Sequence, residues 1–285
     1  MNQVFSFNRW LLLVNKHWSE NRKRYLLSLG GVAALLIIWF GFSIIINNHR
    51  PMHEDLQALT YFVGLVLVGC FFASMMFSDL SSKSKGIEFL ILPSSLMEKL
   101  ACMIFYSVFL FFICYTLVFY GVDIIMVKLS NSLARGAWEK GELLAREREL
   151  YIEKIANVFV FNSEDLDKVN VNYYVILAFI VVQSAFLMGS VYFPKYSFLK
   201  TLISLLVIIV VMVIIMAKVA KYVIPERVGF YEGLTSLRLY NEDYTAIKVA
   251  RLPEWISDSL LFLIKYAFAP VFWLITYFRL KEKQI

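Results

Sequence analysis

Apolar residues along this chain gather into six long runs separated by polar stretches: Tyr25 to Ile46, Ala58 to Phe77, Leu100 to Val122, Tyr173 to Phe193, Leu202 to Ala217 and Leu260 to Tyr277. A helix needs roughly 20 mostly apolar residues to cross the hydrocarbon core of a bilayer, and each run comes near that length. The fifth is the shortest, and it reaches Ile224 if Lys218 and Lys221 extend their stems toward the headgroups. The pattern predicts an all-α integral membrane protein with six transmembrane helices.

The polar stretches carry their own periodicities. Before the first run, Phe7, Trp10, Leu11, Val14 and Trp18 recur at helical spacing, while Asn8, Arg9, Asn15 and Lys16 fall mostly on other faces. Residues 1–24 are therefore expected to form an interfacial amphipathic helix, its tryptophans at headgroup level and its cations toward anionic lipid. Between the third and fourth runs, 128–172 is long and charged. Its stretch Trp138 to Val158 holds helix formers such as Glu142, Leu143, Leu144, Ala145 and Arg146, which predicts an external helical insertion. A charge-rich exposed helix of this kind is more often a solvated face than a binding face. A second external loop spans 225–257, with Arg227, Glu232, Arg238, Glu242 and Asp243 beside several tyrosines. No internal repeat or flexible linker divides the chain, so 1–285 reads as one transmembrane domain.

Composition strengthens the membrane reading: 60% of residues are hydrophobic and mean hydropathy is +0.66, above the values of water-soluble globular domains. The formal net charge of +6 acquires its meaning from where the cations sit. Arg9, Lys16, Arg22, Lys23 and Arg24 precede the first run, and Lys83, Lys85 and Lys99 follow the second. Lys195 and Lys200 follow the fourth, and Arg279, Lys281 and Lys283 end the chain, whereas the loop after the first run offers only Arg50. Lys and Arg are retained on the cytoplasmic side of short loops, so both termini are predicted cytoplasmic. The positive charge is thus a topology and headgroup signal, and nucleic acid is not an expected partner. The first run is too long for a signal-peptide core and reads as an uncleaved anchor. Cys70, Cys102 and Cys114 all fall inside predicted spans, which argues against a disulfide framework.

One polar-flanked segment stands out between the second and third runs: Gly86 to Lys99, GIEFLILPSSLMEK. Gly86 permits a sharp bend. Pro93 disfavours helical geometry at Leu92. Ser95 and Glu98 have the spacing of a capping box, so a new helix should begin near Ser95. In Gly86, Glu88, Leu90, Leu92, Pro93 and Ser95 the segment resembles the first cytoplasmic loop of ABC type-2 exporter permeases, which carry a G-x-E-x-L-x-L-P-x-S-like sequence. The resemblance implies a coupling helix docked on a separate ATP-hydrolysing subunit. Ile87, Phe89 and Leu90 would supply apolar contact and Glu88 would meet a basic group. It also implies an elbow helix at the amino terminus, a homodimer or heterodimer of permeases with two ATPases, and residence in a bacterial plasma (inner) membrane. The large insertion before the fourth run and the polarity of 225–257 depart from the family pattern. No G-x-x-x-x-G-K-[ST] sequence occurs, so ATP and Mg would be bound by the partner and no cofactor by this chain.

Other candidate chemistry is sparse. His49 and His53 lie near Glu54 and Asp55, but Pro51 separates them and no H-E-x-x-H is present, so a polar external turn is favoured over a metal site. Asp123 lies near the outer end of the third run and Lys265 several residues inside the sixth. They are candidates to pair or to line a translocation path, and snorkelling of Lys265 is the plain alternative. Gln183 and Ser184, deeper in the fourth run, are candidates for the same path or for interhelical hydrogen bonds. Pro270 is expected to bend the sixth span by removing a backbone donor. No paired catalytic carboxylates or nucleophile-base arrangement is visible, so the chain is not expected to be an enzyme. Two readings follow: the permease subunit of an ATP-driven exporter or, as the alternative, a non-transporting scaffold or sensor that recruits a partner through its external charged region.

Overall fold

A computed structural model describes residues 5–46, 51–139, 155–156, 171–223, 228–229, 236–240, 246–251 and 254–283. Most of the predicted insertion, parts of 225–257 and His49 lie outside the described residues. Among the described residues five helices are long and apolar enough to span a membrane, and they fit an integral membrane protein.

The first helix, α1 (Phe7–Ile46), is a single rod of 40 residues. That corrects the expectation of a separate amphipathic helix ahead of the first span. At 1.5 Å per residue the rod is about 60 Å long, roughly twice the hydrocarbon thickness. Its amino-terminal half therefore extends past the core without a break. Helix α2 (Glu54–Ser74) begins where the His53 side chain accepts from the Asp55 backbone N–H, with Glu54 and Asp55 in the first turn at the positive end of the helix dipole. After a 3₁₀ turn at Ser78–Ser81 comes α3 (Lys83–Ile91), then α4 (Leu96–Ile104). The break between them falls at Leu92 to Ser95, and Ser95 caps α4 in a complete capping box with Glu98, as the sequence spacing predicts.

Helix α4 passes through a π-helical segment, Phe105–Leu110, into α5 (Phe111–Glu139), making one rod from Leu96 to Ala137 and beyond. The third span thus overruns Val122 and Lys128, and the first residues assigned to the insertion belong to this helix. Helix α6 (Val171–Tyr192) and α7 (Ser197–Val223) follow, joined by a tight turn in which Tyr196 takes φ of 55°. Helix α7 continues past Lys218 to Val223, while its stretch apolar enough to span a membrane runs Ser197–Ile215. The three-stranded antiparallel sheet of β1 (Val228–Gly229), β2 (Ser236–Tyr240) and β3 (Ala246–Arg251) adds strand structure to the predicted external loop. Its register sets Val228 opposite Leu239 and Leu237 opposite Ala250. Outside this small sheet every described element is helical, in keeping with the all-α expectation.

The sixth predicted span, Leu260 to Tyr277, falls across two adjoining shorter helices, α8 (Glu254–Tyr266) and α9 (Phe268–Glu282). Pro270 is the third residue of α9, and its missing N–H leaves the Tyr266 carbonyl without its helical donor; α8 and α9 meet at Ala267, whose backbone stays in the right-handed helical region and still bonds Leu263 and Val271. Helix α9 then runs parallel to α6. At one end Tyr266 hydroxyl meets Tyr173 hydroxyl, and at the other Lys283 Nζ donates to the Val191 carbonyl at 2.7 Å.

Two clusters form most of the core. One joins Leu36, Phe40, Tyr61, Leu65, Phe111, Tyr115, Phe119 and Phe179 from α1, α2, α5 and α6. Gly64 and Gly69 allow this approach: a Cβ on Gly64 would lie 2.2 Å from Tyr115 hydroxyl, and one on Gly69 1.9 Å from Gln183 Nε2. These small residues therefore serve packing within the chain. The second cluster joins Leu13, Phe77, Leu100, Tyr106, Val191 and Leu280, bringing the start of α1, the Ser78–Ser95 connection, the α6–α7 turn and the carboxyl terminus to one end of the bundle. Helix α7 contrasts with both, with only 6% of its apolar window buried. Lipid tails are as apolar as its side chains, so this exposure carries no cost in a bilayer that it would carry in water.

Candidate functional site

The short helix α3 lies at the end of the bundle where both termini gather. Its outward side chains recur at helical spacing: Ser84, Ile87, Glu88 and Ile91 are all exposed, Ile87 at 57% and Ile91 at 75%. Its inward side holds Phe89, whose ring meets Phe77 edge-on at 6.0 Å. Phe89 and Leu92 pack on the second core cluster, so the predicted contact surface divides. Ile87 and Glu88 face out, whereas Phe89 anchors the helix and Leu90 is half-buried. Pro93 is exposed. Gly86 is helical, and a Cβ there would meet the Leu80 backbone at an ordinary 3.6 Å, so neither a bend nor a close approach requires glycine at this position.

The next helix fastens α3 in place. Lys99 is fully buried, donates to the Leu90 carbonyl at 2.9 Å and lies 5.5 Å from the Phe89 ring centre. It satisfies one of the carbonyls that a helix leaves open at its carboxyl end, where a cation also suits the dipole. Lys99, counted by sequence among the cations that set topology, is thus also a structural cap.

Beside it, Glu98 is also fully buried and collects donors from three directions. Its Oε2 accepts from Ser95 N–H at 2.9 Å, and its Oε1 accepts from Ser6 N–H at 2.7 Å and from Arg9 Nη2 at 2.9 Å. Charge-assisted bonds of this kind are about twice as strong as neutral ones, and they tie the beginning of α1 to the beginning of α4. Farther along, Tyr106 hydroxyl donates to the Val14 carbonyl at 2.9 Å and its ring lies 4.6 Å from that of His17. The amino-terminal half of α1 is thus clamped to the rod that begins directly after α3.

The four residues proposed for a translocation path do not meet. Gln183 lies against Gly69 and Phe111, and Asp123 is twelve residues beyond Phe111, about 18 Å along the same rod. Lys265 donates to Tyr174 hydroxyl at 3.1 Å, and so does not pair with Asp123. Both carboxylate oxygens of Asp123 and both amide atoms of Gln183 are buried without a hydrogen-bond partner among the described residues. Ser184 donates back to the Val181 carbonyl of its own helix. Among the described residues no three His, Cys, Asp or Glu side chains gather as metal ligands.

Sequence reading missed Ile91, Arg9 and the clamping roles of Glu98 and Lys99. Ile91 was discoverable, since it stands four residues after Ile87 and joins its face once the segment is read as a helix. Arg9 carried no such signal, because its partner is 89 residues away. Comparison with known proteins finds no matching family model, no matching curated protein and no matching solved structure.

Proposed function

We propose that this chain is the membrane-spanning permease subunit of an ATP-driven exporter, with α3 as the element that receives motion from a separate ATPase. The observation that carries the reading is the outward face of α3, where two isoleucines and a glutamate stand exposed on a short helix fastened from behind. Exposed apolar side chains at the polar end of a membrane bundle favour a partner surface. Glu88 adds a charge that selects a basic group, and the rigid seat formed by Phe89, Lys99 and Glu98 carries a push on α3 into α4 and α1. The segment's likeness to the exporter-permease loop points the same way. In this reading both termini are cytoplasmic, the permeases act as a dimer, and ATP and Mg are held by the ATPase.

The test is purification of the full chain in mild detergent from its native membrane, followed by measurement of associated ATP hydrolysis. Wild-type protein should carry an ATPase. Ile87→Asp, Ile91→Asp and Glu88→Lys should shed it while melting at the wild-type temperature, because all three side chains are exposed. Retention of the ATPase by all three variants overturns the docking role of α3, and the absence of any ATPase from wild type overturns the exporter reading.

A further inference from the structure

A groove of about 570 Å³ runs between α1 and α2, floored by Leu110, Phe111 and Cys114 of the rod that both helices flank. That volume is in the range of sites that enclose small molecules. Its lining is graded from end to end. Asn21, Arg24 and Asp79 stand at the end nearest α3, and Leu35 and Leu67 at the other. Arg24 and Leu35 are both exposed, so the groove opens sideways to the surrounding membrane.

Its dimensions select an occupant. Arg24 and Leu35 are eleven residues apart on α1, about 16 Å, which is half of a ~30 Å hydrocarbon core. Just beyond Leu35 the groove closes, where Trp39 Nε1 donates to Thr60 hydroxyl at 3.1 Å and the two helices meet. A channel one leaflet deep, polar at the mouth, apolar in the shaft and blind at the bilayer centre matches one acyl chain hanging from one headgroup. Charge decides which headgroup. Arg24 closes the run Arg22, Lys23, Arg24, and across the mouth only Asp79 opposes it. The excess is cationic, which favours phosphate without a compensating choline.

We infer that the groove between α1 and α2 is a binding site for one anionic phospholipid of the bilayer leaflet next to α3, its phosphate at Arg24 and Asn21 and an acyl chain extending to Leu35. The inference does not depend on the exporter reading, since it requires neither a dimer nor an ATPase. The site lies against the π-helical segment Phe105–Leu110, a departure from regular helix of the kind often found at functional sites.

The experiment is native mass spectrometry of the delipidated full chain titrated with phosphatidylglycerol or phosphatidylcholine. Wild type should bind one phosphatidylglycerol per chain, about fivefold more tightly than phosphatidylcholine, a factor equivalent to ~1 kcal/mol for one basic contact. Arg24→Gln should remove the preference. Gly31→Leu should remove binding of both lipids; Gly31 lines the groove and a Cβ there meets nothing within 4 Å, so the new side chain fills the space without strain. Leu35→Trp serves as a second filler should Gly31→Leu melt early, and Val210→Trp on exposed α7 should leave binding unchanged. Wild-type affinity in both fillers, or a lipid preference that survives Arg24→Gln, overturns the inference. So does efficient disulfide formation between two copies of Leu35→Cys, which would show a second chain occupying the groove.

Discussion

Glu98 and Asp123 are both fully buried carboxylates on one continuous rod, yet they live in opposite electrostatic circumstances. Glu98 receives hydrogen bonds from Ser95, Ser6 and Arg9, whereas Asp123 receives none. Burial alone therefore says little about what a charge does for a membrane bundle. At Glu98 the desolvation cost is offset by partners brought from α1, and the residue becomes a fastener. At Asp123 nothing offsets it, so the site costs stability and stands available to a ligand, a proton or a moving element.

Substitution at the two positions should move stability in opposite directions. Glu98→Ala removes the acceptor of two backbone N–H groups and of Arg9, and should destabilise by about 2 kcal/mol, less than a fully buried pair because Arg9 is half-exposed and regains water. Thermal unfolding in detergent measures it, and an unchanged midpoint would dissolve the contrast. Asp123→Asn should instead stabilise by ~1 kcal/mol, since a neutral amide is cheaper to bury than a carboxylate; a lowered midpoint would reveal a partner for Asp123. Lys99→Met keeps the stem but loses the bond to the Leu90 carbonyl, at a cost of about 1 kcal/mol. Proteolysis between Ser82 and Pro93 should then accelerate, because α3 has lost its rear anchor. Smallest of all is Glu88→Lys, an exposed change expected within about 0.5 kcal/mol of wild type. Its effect should appear in partner association alone.

Several elements were legible in the chain because their causes are local. The capping box needs only Ser95 and Glu98 three residues apart, and α4 begins where that spacing places it. The fourth run maps closely onto α6, for an apolar run in lipid has few alternatives to a helix that satisfies its own backbone. The sixth run falls across α8 and α9, a division that a count of apolar residues does not show. Helix α9 carries Arg279 and Lys281, and hydropathy penalises both, although the guanidinium of Arg279 lies 5.0 Å from the Tyr192 ring centre. The candidate segment was found by its residues but misread in its geometry. By sequence Gly86 suggests a bend, yet it lies inside α3 with room for a Cβ.

What the amino-acid order determined by itself was the membrane, the rough places of the long apolar helices, and the break at Leu92 to Ser95. Each follows from interactions within a few residues or from the length a bilayer demands. Only the tertiary structure decided which side of α3 faces outward, which buried charges find partners, and that a one-leaflet groove remains between α1 and α2. Those features depend on side chains as far apart in sequence as Arg9 and Glu98, and no local pattern specifies where two helices will meet or fail to meet.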